Sequence, residues 1–180
     1  RSVDSGLTVV EGFRFDSGYL SPQFVTDERR KLVKYEDLLV LVTDAKIDAV
    51  DDILPALELV AREGRPLLIV AEDVEGQALA ALIMNAVRGT MKVAAVKAPR
   101  YGEERRNVLK DLALSVGGTF MSRESGKTLR DITLADFGKA STVEITKRST
   151  TIVDGEADYD EVEKRIEDLK TEMQDTESIQ

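Results

Sequence analysis

Three carboxylates crowd one short stretch of this chain, Glu72, Asp73 and Glu75, within Ala71-Glu72-Asp73-Val74-Glu75-Gly76. They follow the apolar run Pro66–Ala71, which has the length and composition of a buried strand. Acids just past a strand end in an α/β fold are placed to hold a magnesium ion or to act as catalytic groups. A metal-dependent enzyme would use Glu72, Asp73 and Glu75 in this way. The simpler role is to put negative charge at the positive end of the next helix. That role is favoured, because no glycine loop able to cradle phosphate accompanies the acids. Neither G-x-x-x-x-G-K-S/T nor G-x-G-x-x-G occurs. A second charged stretch, Lys97 to Arg106, has the residues for an anion site, but reads better as a strand-to-helix connection with Glu103 and Glu104 in the first helical turn.

Other chemistries are closed by composition. The 180 residues include no cysteine and no histidine. Disulfides, thiolate or imidazole zinc sites, Cys–His pairs and a Ser-His-Asp triad are therefore excluded. The net charge of −9 argues against nucleic acid and against an anionic membrane face as partners. The length suits one well-buried domain. No apolar run approaches the roughly 20 residues that span a bilayer, and nothing resembles a signal peptide. A cysteine-free chain fits a reducing compartment. A chain opening on Arg1 is expected to be a fragment or a processed product.

The elements that must position these groups can be read from periodicity. Residues 7–25 read as short extended pieces broken by Gly12, Gly18 and Pro22, and Asp27–Lys34 as a charged turn or loop. Buried strands are expected at Leu38–Asp44, Pro66–Ala71 and Met91–Lys97, with a short one at Thr119–Ser122. Between them, helices are expected from Asp51 to about Arg62, with Pro55 in the first turn, then over 76–88 and over Glu103–Val116. Gly64, Gly89 and Gly117 stand as their stops. This is βαβαβαβ, a parallel sheet with crossover helices. A β pair follows at Thr142–Lys147 and Thr150–Val153, then a solvated helix at Asp158–Gln174.

Helix 76–88 carries more apolar surface than one core contact needs. From Ala78 to Val87 only Asn85 is polar. Leu82, Ala86, Leu79, Ile83, Val87 and Met84 sweep roughly 200° of its circumference. The preceding helix, with Ile53, Leu54, Ala56, Leu57, Leu59, Val60 and Ala61, is expected to be similarly wide. Two such helices side by side make a groove suited to an amphipathic helix or an extended segment. Leu54, Leu57, Leu79, Ile83 and Met84 are expected to be partly exposed there.

Several stretches resemble the apical domain of the group I chaperonins, the GroEL type. They are Glu11-Gly12-Phe13-Arg14-Phe15-Asp16-Ser17-Gly18-Tyr19-Leu20-Ser21-Pro22, Pro66 to Gly76, Val93 to Pro99 followed by Gly102 to Arg106, and Thr150-Thr151-Ile152-Val153-Asp154-Gly155. The resemblance implies a three-layer β/β/α apical domain over 11–180, with a central βαβαβαβ part, after a connecting segment at 1–10. It implies a molecular chaperone that binds non-native polypeptides and the cochaperonin loop, within an oligomeric ring in the cytoplasm or an organelle matrix. The matching polypeptide-binding positions are Tyr19, Phe24, Leu54, Leu57, Leu79, Ile83, Met84 and Asn85. The family's ATP and magnesium site lies in another domain whose motifs do not occur here, so this piece is expected to have no ATPase activity and no cofactor of its own. Gln23 stands where many members carry an aromatic, Ser17 where a basic residue is common, and Arg100-Tyr101-Gly102 where Gly-Phe-Gly is usual.

Overall fold

The computed structural model describes residues 12–155 apart from 123 and 125. The expected connecting segment 1–10 and helix 158–174 lie outside the described residues. The chain forms an α/β domain on a seven-stranded mixed sheet. In chain order the elements are β1 (Gly12–Phe15), β2 (Val33–Thr43), β3 (Lys46–Ile47), α1 (Val50–Glu63), β4 (Leu67–Ala71), β5 (Asp73–Val74) and α2 (Gly76–Arg88). Then come β6 (Val93–Lys97), α3 (Gly102–Val116), β7 (Phe120–Met121), β8 (Gly138–Ile145) and β9 (Thr150–Gly155). The sheet order is β1-β9-β8-β2-β4-β6, with β7 also on β2, while β3 and β5 form a separate two-stranded ladder. Among the described residues no helix is long and apolar enough to cross a membrane.

Strand β2 joins two kinds of sheet. Its first half pairs antiparallel with β8, from Val33 opposite Ile145 to Val40 opposite Gly138. Its second half pairs parallel with β4, from Leu39 opposite Leu67 to Val42 opposite Val70, and its tip pairs parallel with β7. Burial follows the change. Val33 and Tyr35 are buried while Lys34 and Glu36 are exposed, and from Leu38 onward every side chain is buried. One-sided antiparallel strands alternate in this way, and parallel strands covered on both faces do not. The expected strand at 38–44 was therefore too short, because charges on its open face make 33–37 look like loop. The β8 strand likewise begins at Gly138 rather than Thr142.

At the junction Asp37 takes a left-handed backbone, φ 51°. Arg65 holds it there, with Nε donating to the Asp37 carbonyl at 3.1 Å and Nη2 to its carboxylate at 2.8 Å. Tyr35, just before it, donates its hydroxyl to the Val93 carbonyl at 3.3 Å, and burial pushes its phenol up to about 12.

Helix α1 begins at Val50, earlier than expected, so Pro55 falls in the second turn and leaves the Asp51 carbonyl without its helical donor. Helix α3 packs across β2, β8, β9 and β1. It lies so close to Gly138 that a Cβ there would sit 2.1 Å from Val116 Cγ2. A strap at 17–20 runs along the free edge of β6. The Leu20 N–H donates to the Ala95 carbonyl at 2.9 Å, and that of Tyr19 to the Thr146 carbonyl beyond β8 at 3.2 Å. Thr150 Oγ1 donates to the Ser17 carbonyl at 2.6 Å. The strap thus ties β6 to the β8–β9 hairpin across the sheet. Gly18 is what allows the approach, since a Cβ there would fall 2.2 Å from the Lys147 carbonyl and the Thr146 oxygen.

Two stability changes follow, both read by a thermal melt. Gly18→Ala should lower stability by about 1–3 kcal/mol, because the backbone it meets has no room to yield. Arg100 has φ 66° in the loop before α3, a region that costs an L-residue roughly 1–2 kcal/mol. Arg100→Gly should therefore raise the midpoint by about 1–4 °C, after the greater unfolded-state freedom of glycine is discounted. A lowered midpoint would show that the Arg100 side chain makes a compensating contact.

Candidate functional site

The acids Glu72, Asp73 and Glu75 do not converge. Glu72 pairs with Arg105 at 3.5 Å, and Glu75 pairs with Lys46 at 3.5 Å. Asp73 accepts from the N–H of Val74 at 2.9 Å. Among the described residues no group of three potential metal ligands forms. Glu75 occupies the residue before α2 but does not cap it with its side chain. The guanidinium of Arg105 is buried and also lies over the ring of Tyr101, 5.2 Å from its centre, so Glu72 belongs to a packing contact between β4 and α3. The three carboxylates therefore face three different partners rather than one ion.

The helix pair presents a different surface. Helix α1 packs against α2, and α2 against β6 and the short turn Pro22–Phe24. Of the apolar residues of α2, only Ala78 and Leu82 are buried. Leu79, Ile83 and Ala86 rest on the core and are partly accessible. Met84 and Val87 stand out at 52% and 62% exposure, and on α1 Leu54 stands out at 43%. Elsewhere among the described residues the large exposed hydrophobics are Tyr101 and Leu134. A ridge of Leu54, Met84 and Val87, with Leu79 and Ile83 between it and the core, is thus the main apolar surface of the two helices.

Four of the expected site residues sit differently. Leu57 is only 6% exposed. It shares a stripe with Ile53 and Val60, four and three residues away, and that stripe faces the core, while Leu54 is turned about 100° off it. Within the apolar arc of α1, Ile53, Ala56, Leu57 and Val60 face the core, Leu59 is half-buried, and Leu54 and Ala61 are exposed. Phe24 is 1% exposed, sealed in the turn beneath α2 that Ser21 caps. Tyr19 is half-buried in the strap, and its hydroxyl donates to the Lys31 carbonyl at 3.3 Å. Asn85 turns its amide inward on its own helix end. Its Nδ2 donates to the Ala81 carbonyl at 2.9 Å, and its Oδ1 accepts from Thr90 Oγ1 at 2.8 Å. Phe24 and Leu57 therefore support the surface from beneath, and Tyr19 and Asn85 hold its surroundings. Val87, the most exposed large aliphatic residue among those described, was absent from the expected set, although the angular sweep of α2 already included it.

No family model matches the chain.

Truncation separates support from surface. Leu57→Ala should destabilise the domain by about 2–5 kcal/mol, the usual result for a buried leucine. Leu54→Ala and Met84→Ala should stay within about 0.5 kcal/mol of the parent. Urea unfolding of the three variants measures both. A large loss for Leu54→Ala would show that its exposed side chain is held by a contact outside the described residues.

Proposed function

We propose that this chain is a polypeptide-binding module, similar to the apical domain of a group I chaperonin. It takes short apolar segments of non-native proteins, and a cochaperonin loop, on the exposed ridge of α1 and α2. The observation that carries the proposal is the ridge itself. Leu54, Met84 and Val87 are large, exposed and placed on two helices in contact. A soluble surface that keeps such side chains uncovered is commonly a binding surface. Helices of this kind read little sequence, because apolar contact is non-directional. Two further observations support the resemblance. Arg100, which replaces a usual glycine, has the backbone that glycine favours. The strap carrying Ser17 to Leu20, within the longest matching motif, runs beside β6 next to the turn on which α2 rests. On this reading the fold is the apical type with three β/β/α layers, and ring assembly, ATP and magnesium belong to the parent protein. The alternative reading, an enzyme built on Glu72, Asp73 and Glu75, is not favoured by any arrangement of those side chains.

Each covered side chain contributes roughly 1.5–3 kcal/mol at most, before the ordering costs of association. A single isolated module should therefore bind weakly, since a ring gains avidity from several copies. Binding of a fluorescent unstructured apolar peptide tests the proposal. Met84→Glu and Val87→Glu should each weaken it by about tenfold or more, with the thermal melt unchanged. A cochaperonin-loop peptide should displace the client peptide, and moderate salt should change the affinity little. Unchanged binding in both variants would remove the ridge from the site, and a ternary complex would overturn the shared surface.

A further inference from the structure

Helices α1 and α2 run side by side in the same direction. The Glu75 N–H donates to the Ile47 carbonyl at 2.9 Å and that of Ala78 to the Asp48 carbonyl at 3.2 Å, so the two helices start together. The Leu67 N–H donates to the Lys92 carbonyl at 2.8 Å, so the segments that follow them also meet. Charge divides between these ends. Around the starts, residues 46–52 and 73–75, with Arg130 on Asp52, bring five carboxylates against two cations. Around the stops, residues 62–65 and 88–92, with Asp37 on Arg65, bring four cations against two carboxylates. Such charges complement helix dipoles, but two helices carry only about one positive charge at their joint start and about one negative charge at their joint end. The side chains exceed that at both ends. The pair is thus negative where it begins and positive where it stops.

The apolar ridge crosses from one end toward the other. On α1, Leu54 lies three residues past Asp51, and on α2, Arg88 lies four residues past Met84 and directly after Val87. Residues three and four apart share a helix face, so Asp51 and Arg88 flank the ridge at its opposite ends. Both are exposed, and neither forms an ion pair among the described residues. Glu58 and Arg62, also exposed, continue the α1 side in the same order, acid before base. At a rise of about 1.5 Å per residue, Asp51 and Arg88 lie roughly 15–18 Å apart along the helices, the span of about five extended residues. Resting on the reading of this ridge as a polypeptide-binding surface, we infer that it selects apolar segments by the charges at their ends. The preferred segment has about five apolar residues, with a basic side chain at the end beside Asp51 and an acidic one at the end beside Arg88. Apolar contact is non-directional, so the two end charges are what give the bound segment one orientation.

The test uses the full chain and three peptides with blocked termini and one shared five-residue apolar core. The first runs Lys-core-Glu, the second Glu-core-Lys and the third Gln-core-Gln. At low salt each charged peptide should bind about three- to tenfold more tightly than the Gln peptide, the scale of two exposed ion pairs. Salt at about 0.5 M should erase that gain while leaving the Gln peptide nearly unaffected. A nitroxide on the Lys end should broaden the amides of Asp51 and Leu54, and one on the Glu end those of Arg88 and Gly89. The pattern should follow the charges rather than the chain direction, and it should invert in the double variant Asp51→Lys, Arg88→Glu. Equal affinity of the charged and Gln peptides, a gain that survives salt, or the same broadening from either label would each overturn the charge selection while leaving the ridge in place. Absence of binding by all three peptides would remove the ridge as well. The labels on the parent protein decide the matter even where the double variant does not fold.

Discussion

Everything in this domain hangs on β2, one strand asked to satisfy two environments. Its first half needs a polar and an apolar face, because β8 lies beside it with one side open. Its second half needs to be apolar throughout, because parallel neighbours and helices cover it. The chain changes from one regime to the other at Asp37. A left-handed residue in a strand is strained, and aspartate is among the few side chains that tolerate it. Arg65, just before β4, grips both the carbonyl and the carboxylate of that residue. The joint is therefore fixed by the same connection that brings in the next parallel strand. From there the Leu39–Leu67 and Leu67–Val93 registers follow, and with them the places where α1 and α2 begin.

The strap at 17–20 closes the arrangement from the other side. It uses backbone groups that the edge of β6 would otherwise leave open, which removes an exposed strand edge. It also leads into the turn at Pro22–Phe24, and that turn is the floor of α2. A helix with only two buried residues is not anchored by its own core contacts alone. The sealed Phe24, the neighbouring α1 and the left-handed stop at Gly89 complete its support. Because this support comes from below and from the ends, the upper face of α2 is free to remain apolar and uncovered. Anchoring and an exposed apolar face are thereby separated on one helix.

The two regions of chemical interest follow from the same topology and differ in kind. On the helix ridge the exposed groups are apolar, and Met84 in particular carries a flexible, unbranched side chain. The crevice that opens after β2 and β7 is mixed instead, with apolar Ala45, Met121 and Leu129 beside charged Asp44, Asp52, Lys127 and Arg130. The ridge depends on which side of a helix faces outward, and the crevice on the order in which strands enter the sheet.

Residue patterns alone determined the alternation of strands and helices from Leu38 to Ser122. Long apolar runs, glycine stops and acidic helix starts act over a few residues and need no partner to be legible. The surplus of apolar residues on α2 was legible for the same reason, since it is a property of one helix. What only the tertiary structure decided is which of those residues remains outside. Leu54 and Leu57 are the same residue type three positions apart, and only the packing of α1 assigns one to the surface and the other to the core. Phe24 looks available in an irregular stretch until the turn folds beneath α2. The charged start of β2 reads as loop until β8, more than a hundred residues later, supplies its hydrogen bonds. The three acids after β4 look like one cluster in the sequence, yet Arg105 and Lys46 draw two of them apart. In each case the deciding partner is distant in the chain, and local pattern carries no record of it.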